Sequence, residues 1–387
     1  MSEPQYKKFL DVEKDINSHV YERQDAVRGL ILATLSGTNV LLLGPAGVAK
    51  SYLVRLWNQR ITNSVYFEWL LNKFSSPEEL FGPISFKSIK EDHYRRNTEG
   101  KLPEANTAFI DEIFKANSSI LNAMLPVLNE RIFYNGHIPT KLDLYTVAGC
   151  SNEIPDADDN LDAFYDRFLL KYHVVYISED GNFLNMIGNE LPEIPKATIS
   201  KEDILQAQSE VAEISFPDEM QQIYIKLRKN LRGESFHVSD RTYKISVRLL
   251  KAQAWLNGRK QVDTEDFEVL KHAIWTDPNT RKTAQRLILE LIAPEKNRVY
   301  ELLEMCKEHY AKVYEKKTPK ERNNEAMDAM HNFKEASNEI EKLKKQMSLR
   351  GSAIDEIEQI ERTIEAMKTT ILVEQLGAKT LSAKSLI

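Results

Sequence analysis

The chain has 387 residues, 42% of them hydrophobic and 28% charged, which is enough apolar material for a sizeable core and for two or three domains. Its net charge of −6, with no long basic block, argues against a constitutive nucleic-acid binder, which carries a basic stripe. Two distant cysteines, Cys150 and Cys306, exclude a disulfide scaffold or a zinc cluster and fit a reducing compartment. The opening residues hold no apolar signal core, and no stretch reaches the ~18–20 apolar residues that span a bilayer. The expectation is a soluble, cytoplasmic protein without a transmembrane segment.

Residues 5–175 alternate short apolar runs with helical patterns, the signature of an α/β domain. Val40-Leu41-Leu42-Leu43, Ala108-Phe109-Ile110 and Tyr145-Thr146-Val147-Ala148 read as strands buried on both faces of a parallel sheet. Ser75–Pro103 and Arg131–Lys141 look like insertions on this core, the second with an Asn135-Gly136 hairpin signal. From Lys201 to Pro278 the pattern is helical. Ser239-Asp240-Arg241 offers an N-cap, Ile245, Leu249, Ala252 and Leu256 a periodic face, and Gly258 a stop. Beyond Pro278 the chain is charged and helical, with an apolar face of Val299, Leu302, Leu303, Cys306, Tyr310 and Val313. Two further stripes follow: Ile340, Leu343 and Met347, then Ile357, Ile360, Ile364, Met367 and Ile371. These last two predict an antiparallel helical hairpin, with an intermolecular coiled coil as the rival. The organisation expected is therefore an α/β domain over 1–190, an all-α domain over 191–278 and a helical region over 279–387.

Gly44-Pro45-Ala46-Gly47-Val48-Ala49-Lys50-Ser51 follows the phosphate-loop pattern GxxxxGK[ST], with Ala49 where the last glycine is expected. Small residues let successive backbone N–H groups curl around a phosphate, and the following helix points its positive end there. Lys50 supplies a point charge for the β- and γ-phosphates, and the Ser51 hydroxyl can ligate magnesium. Alanine at 49 adds only a methyl, which is tolerable if its φ is negative. A plain strand-to-helix turn is the competing reading. Phe109-Ile110-Asp111-Glu112 supplies the partner chemistry: Asp111 at a strand end to hold magnesium through water, and Glu112 to polarise an attacking water. Adjacent carboxylates at a strand terminus are poor core residues and call for a cation or a water. ATP or ADP with Mg2+ is the ligand set this implies.

The order of these motifs, and the text around them, resembles a family. The segments YERQDAVRGLILATLSGTNVLLLGPAGVAKS, FSSPEELFGP, LPEANTAFIDEIFKA, ILNAMLPVLNERIF, GCSNEIPDADDNLDAFYDRFLL and VSDRTYKISVRLLKAQAWLNGR are similar to those of MoxR-type AAA+ ATPases, most closely the RavA subfamily. The likeness covers residues 5–277 and fades after Pro278. It implies an AAA+ P-loop core, a parallel sheet between helices, with an all-α lid. It also implies roles. Asn152 resembles a sensor that positions the hydrolytic water, against an Asx turn before Pro155. Arg167 resembles an arginine finger reaching a neighbouring subunit's site, against an ion pair with Asp166. Arg241 resembles a second sensor on the lid. Lys244 and Arg248, on the same helical face, could share that task or form a solvated basic face. Tyr21 resembles an adenine-contacting residue, or is a core tyrosine.

A finger supplied in trans implies a homo-oligomeric ring, usually a hexamer in this family, with a core–lid hinge near 190–210. The insertions face the likely pore in family members, where Phe81, Phe86 and Tyr94 are candidate contacts or local packing. The resemblance implies remodelling of a protein substrate, often with a von Willebrand factor A domain partner. The alternatives are a nucleic-acid motor, which the acidic balance disfavours, and a nucleotide-gated scaffold. A plain P-loop kinase needs neither finger nor lid. The RavA subfamily's β-rich insert among its C-terminal helices has no counterpart here, and the tail from Leu381 to Ile387 has no assignment.

Overall fold

The computed structural model describes residues 4–90, 93–153, 165–188, 196–275, 280–316, 318–349 and 354–375. Pro155, the 190–195 part of the expected hinge, Pro278 and the tail from Leu381 lie outside them. The chain forms two compact units, Met1–Ile288 and Leu289–Ile387.

In the first unit, helices α1 (Gln5–Asn17) and α2 (Gln24–Ser36) lead into β1 (Val40–Leu43), which runs through the phosphate-loop motif into α3 (Lys50–Gln59). The strands that follow are β2 (Ile61–Thr62), β3 (Tyr66–Leu70), β4 (Thr107–Asp111), β5 (Ile132–Asn135), β6 (Ile138–Lys141), β7 (Thr146–Ser151), β8 (Leu170–His173) and β9 (Ile199–Ser200). Five of them make one sheet in the order β3-β4-β7-β1-β8, every pair parallel. β1, flanked by β7 and β8, is buried at all four residues, which is why its sequence is uninterrupted apolar rather than alternating. The register Leu43↔Ser151 and Leu70↔Asp111 brings the carboxyl ends of β1, β4 and β7 to one edge of the sheet. In open parallel sheets ligands bind outside those ends.

The insertions are tied to each other. β5 and β6 pair antiparallel around Gly136, whose φ of +68° needs glycine. The Asn135 amide accepts from Arg96 N–H (2.7 Å) and donates to Arg96 C=O (3.1 Å). Of the three aromatics read there as contacts or packing, Phe81 is packing: it is buried and stacks on Phe133 at 5.3 Å. Phe86 and Tyr94 are exposed.

Helices Lys201–Glu213, Asp218–Gly233 and Asp240–Leu256 and the 3-10 turn Thr264–His272 make an all-helical layer. Local capping sets its boundaries. Ser200 and Asp203 form a capping box, Ser239 accepts from Thr242 N–H, and Asp263 pairs with Asp266. Gly258 follows the third helix at φ +74°, with the Tyr6 ring 2.9 Å from where a Cβ would sit.

The second unit contains helices Pro294–Glu315, Pro319–Leu349 and Asp355–Glu374. Their stripes share one core: Val299, Leu302, Cys306 and Val313 from the first, Phe333 and Ile340 from the second, Ile357, Ile364 and Ile371 from the third. The expected two-helix hairpin is thus part of a three-helix bundle. Neither a lone hairpin nor an intermolecular coiled coil is needed to bury these faces.

Candidate nucleotide site

β1 ends at Gly44, whose φ is +149° and whose missing Cβ would stand 2.0 Å from the Val174 carbonyl oxygen. The chain turns there because no side chain blocks it. Gly47 has φ +83°. Ala49 has φ +69°, so the condition of a negative φ is not met and it holds the left-handed conformation that the pattern's glycine would adopt freely. The loop closes by geometry that its last residue disfavours. α3 then starts at Lys50 and directs its N-terminus toward the loop.

The buried Lys50 ammonium donates to Gly44 C=O (2.7 Å), Pro45 C=O (2.8 Å) and Asn152 Oδ1 (2.7 Å). Burial lowers its pKa, and the carboxylates of Asp111 and Glu112 oppose that shift. Ser51 Oγ donates to Asp111 Oδ2 at 3.0 Å, and Asp111 Oδ1 accepts the Glu112 N–H at 3.0 Å. Glu112 sits at φ +52°, which swings its side chain off the strand end. There it accepts from the Asn152 amide and pairs with Lys115 at 3.3 Å. Asn152 spends both ends of its amide on Lys50 and Glu112, and the Asx turn before Pro155 falls outside the described residues. One hydrogen-bonded chain therefore runs Ser51–Asp111–Glu112–Asn152–Lys50. Ser51 and Asp111 present oxygens side by side, the donor set that suits magnesium held jointly with phosphates and water. A metal there would neutralise charge on the phosphates.

Beside the loop lies a cavity of about 350 Å³ lined by His19, Val20, Tyr21, Tyr52, Phe183 and Met186, with Gly47, Val48 and Ala49 as its inner edge. Its apolar lining and position suit a nucleoside. Tyr21 stands in this lining and is half-buried. Ala46 C=O accepts from the Tyr176 hydroxyl at 3.4 Å, and Val48 C=O from Arg23 Nε at 3.3 Å.

Four predicted residues stand apart from this network. Arg167 follows Asp166 at only 3.9 Å, a weak pair, and burial followed by the nearby charge of Arg241 lowers its pKa. Arg241 is therefore near enough for its charge to act on Arg167. Asp166 accepts instead from Thr242 Oγ1 at 3.2 Å, at the N-terminus of the helix that carries Arg241. Among the described residues no hydrogen bond or ion pair joins Arg167 or Arg241 to Lys50, Glu112 or Asn152. Lys244 and Arg248 are exposed and line a different cleft with Lys251, Val211 and Gly37. That cleft is at the far end of α2, a helix of 13 residues and so about 20 Å long at 1.5 Å per residue. Sequence reading missed Glu22, Arg23, Lys115 and Tyr176. The partners of Glu22, Arg23 and Tyr176 are distant in sequence, and no local spacing marks them; Lys115 pairs with Glu112 only three positions before it.

This sheet order, loop and helical layer define an AAA+ P-loop architecture. Residues 7–209 match the MoxR domain described from MoxR-vWA-beta-propeller ternary systems, and residues 219–288 match an AAA lid domain. The chain belongs to the MoxR family of AAA+ ATPases. It is 39% identical over 269 residues to the uncharacterized protein MJ0812 of Methanocaldococcus jannaschii, covering 69% of this chain and 71% of that one. It is 36% identical over 308 residues to MJ0079 of the same organism, covering 79% and 80%. A crystal structure of a Cytophaga hutchinsonii protein, provisionally designated an ATPase, superposes with a TM-score of 0.60 at 19% identity, over 74% of this chain and 94% of that one. That likeness concerns the fold. Among the described residues no helix is long and apolar enough to cross a membrane.

Proposed function

We propose that the chain hydrolyses ATP with magnesium in a ring of identical subunits, hexameric as is usual in the family, and uses the cycle to remodel protein partners in the cytoplasm. The observation that carries this reading is the continuous chain from Ser51 through Asp111, Glu112 and Asn152 to Lys50, with Arg167 and Arg241 not bonded to it. Lys50 and the loop N–H groups hold the phosphates, and an incoming phosphate takes the place of one of the ammonium's present acceptors. Ser51 and Asp111 hold the metal. Glu112 accepts the proton of the attacking water, which Asn152 orients from its position between Glu112 and Lys50. Arg167 and Arg241, which make no bond to their own loop's network, serve a neighbouring copy's phosphates as finger and second sensor. Lys244 and Arg248 remain alternatives for the second sensor only if subunits bring their cleft to a neighbour's site.

The division into core (1–190), lid (191–278) and C-terminal helices (279–387) belongs to this reading, as does membership of a RavA-like group. The family description places MoxR domains in systems with von Willebrand factor A domains, which supports such a partner here. Glu112→Gln is expected to retain ATP binding while hydrolysis falls about 100-fold or more, the size of a lost general base. Lys50→Ala is expected to lose binding. Steady-state ATPase assays and nucleotide titration of both variants test this, and full hydrolysis by Glu112→Gln refutes a catalytic role for the carboxylate.

A further inference from the structure

Glu22, between the cavity residues Tyr21 and Arg23, is tied to a segment more than 150 positions away in sequence. Its Oε2 accepts the Ser178 N–H (2.9 Å) and the Ser178 hydroxyl (2.8 Å). Its Oε1 accepts the Glu179 N–H (3.0 Å) and the Asn182 amide (3.1 Å). These two backbone N–H groups stand immediately ahead of the helix Asp180–Gly188, where a carboxylate is favoured by the helix dipole. Glu22 holds φ +56°, a conformation a non-glycine residue adopts at a cost and keeps when its surroundings fix it. Burial alone would raise its pKa. The hydrogen bonds from Ser178, Glu179 and Asn182 outweigh burial and hold the carboxyl below the usual glutamate range, so it is ionised near neutrality.

The helix it holds has no buried residue, with Phe183, Leu184, Met186 and Ile187 all exposed. Phe183 and Met186, with Tyr176 and Ile177, nonetheless form the outer wall of the cavity beside the loop. Packing does little to fix that wall, so polar ties must. Arg23 supplies a parallel tie by donating to Val175 C=O (2.6 Å) and to Glu22 C=O (2.7 Å).

We propose that Glu22 is a positioning residue for the nucleoside: its carboxylate latches residues 176–186 as the outer wall over base and ribose, independently of the loop that grips the phosphates. The proposal rests on the nucleotide-site reading above. It separates two ligands that share phosphates but differ in the nucleoside, ADP and inorganic tripolyphosphate.

The test titrates the full chain with each ligand in the presence of magnesium. Glu22→Ala is expected to weaken ADP about tenfold or more, the scale of lost charge-assisted hydrogen bonds, while tripolyphosphate binding stays within about twofold. Glu22→Gln, which keeps one acceptor oxygen, is expected to lose less. Because alanine at φ +56° is itself strained, a Ser178→Ala, Asn182→Ala double variant removes the latch from the other side and must reproduce the selective loss. Wild-type affinity for ADP in these variants overturns the proposal, and so does an equal loss for both ligands, which marks a general structural role. If wild type binds neither ligand, the nucleotide reading itself fails and takes the proposal with it.

Discussion

Ala49 closes the loop at φ +69°, immediately before Lys50. For an L-residue the left-handed conformation costs about 1–2 kcal/mol, because Cβ crowds the following carbonyl oxygen. Glycine would remove that cost but return about 0.4–1 kcal/mol through the freedom it gives the unfolded chain. Ala49→Gly is therefore expected to stabilise the protein by about 0.5–1 kcal/mol, read as a raised urea midpoint. An unchanged or lowered midpoint would show that the alanine methyl makes a compensating contact. Gly44 is the opposite case, since any side chain meets Val174 C=O at 2.0 Å. The loop was legible because its glycines, lysine and serine are each required by a distinct physical demand. Ala49's φ was not, because the closure of the turn, not the side chain, sets it. Glu22 was illegible for another reason: its partners at 178–182 become neighbours only after β8 has joined the sheet.

At the scale of elements, buried strands and the capped helix after Ser239 could be read from pattern, since a both-faces-buried strand and a serine N-cap have local signatures. Partner choice could not. The stripe beginning at Ile357 states which side is apolar, and the structure supplies two helices rather than one to cover it. The 3-10 turn Thr264–His272 shows a similar limit, because nothing local marks His272 as buried. Its ring lies 4.3 Å from the Tyr172 ring of β8, with Asp25 Oδ2 at 3.6 Å and Lys271, Arg281 and Glu268 also acting on it. Burial, the largest effect, pushes its pKa down to about 3. Between the ordinary value near 6.5 and that value, the unfolded chain binds a proton that the folded chain refuses. Stability is therefore lost as pH falls from about 6.5 toward 3, by up to about 1.4 kcal/mol per pH unit from this group. His272→Phe keeps a ring beside Tyr172 and is expected to lose about 2 kcal/mol less than wild type between pH 6.5 and pH 4.5, measured by urea unfolding. Parallel losses in the two proteins would reject this assignment of the acid limb.

At the scale of the whole molecule, the two arginines decide how many chains make a site. Arg167 lies within reach of the charge of Arg241, while Lys50, Glu112 and Asn152 form a network in the same copy that neither arginine joins. If both arginines serve a neighbour, they belong to one catalytic face and the loop to the opposite face. Lys50→Ala retains the arginine face and Arg167→Ala retains the loop, so mixing these two inactive variants is expected to restore ATPase activity at mixed interfaces. Mixing Arg167→Ala with Arg241→Ala is expected to restore none, because every loop then meets a face lacking one arginine. The contrast has a definite opposite. Were Arg241 to act on its own chain's nucleotide, an Arg167→Ala loop beside an Arg241→Ala neighbour would hold both arginines it needs, and activity would return. Steady-state ATPase assays of the two mixtures, at a protein concentration where wild-type specific activity no longer rises with dilution reversed, therefore separate a two-faced ring from a site divided between finger and lid.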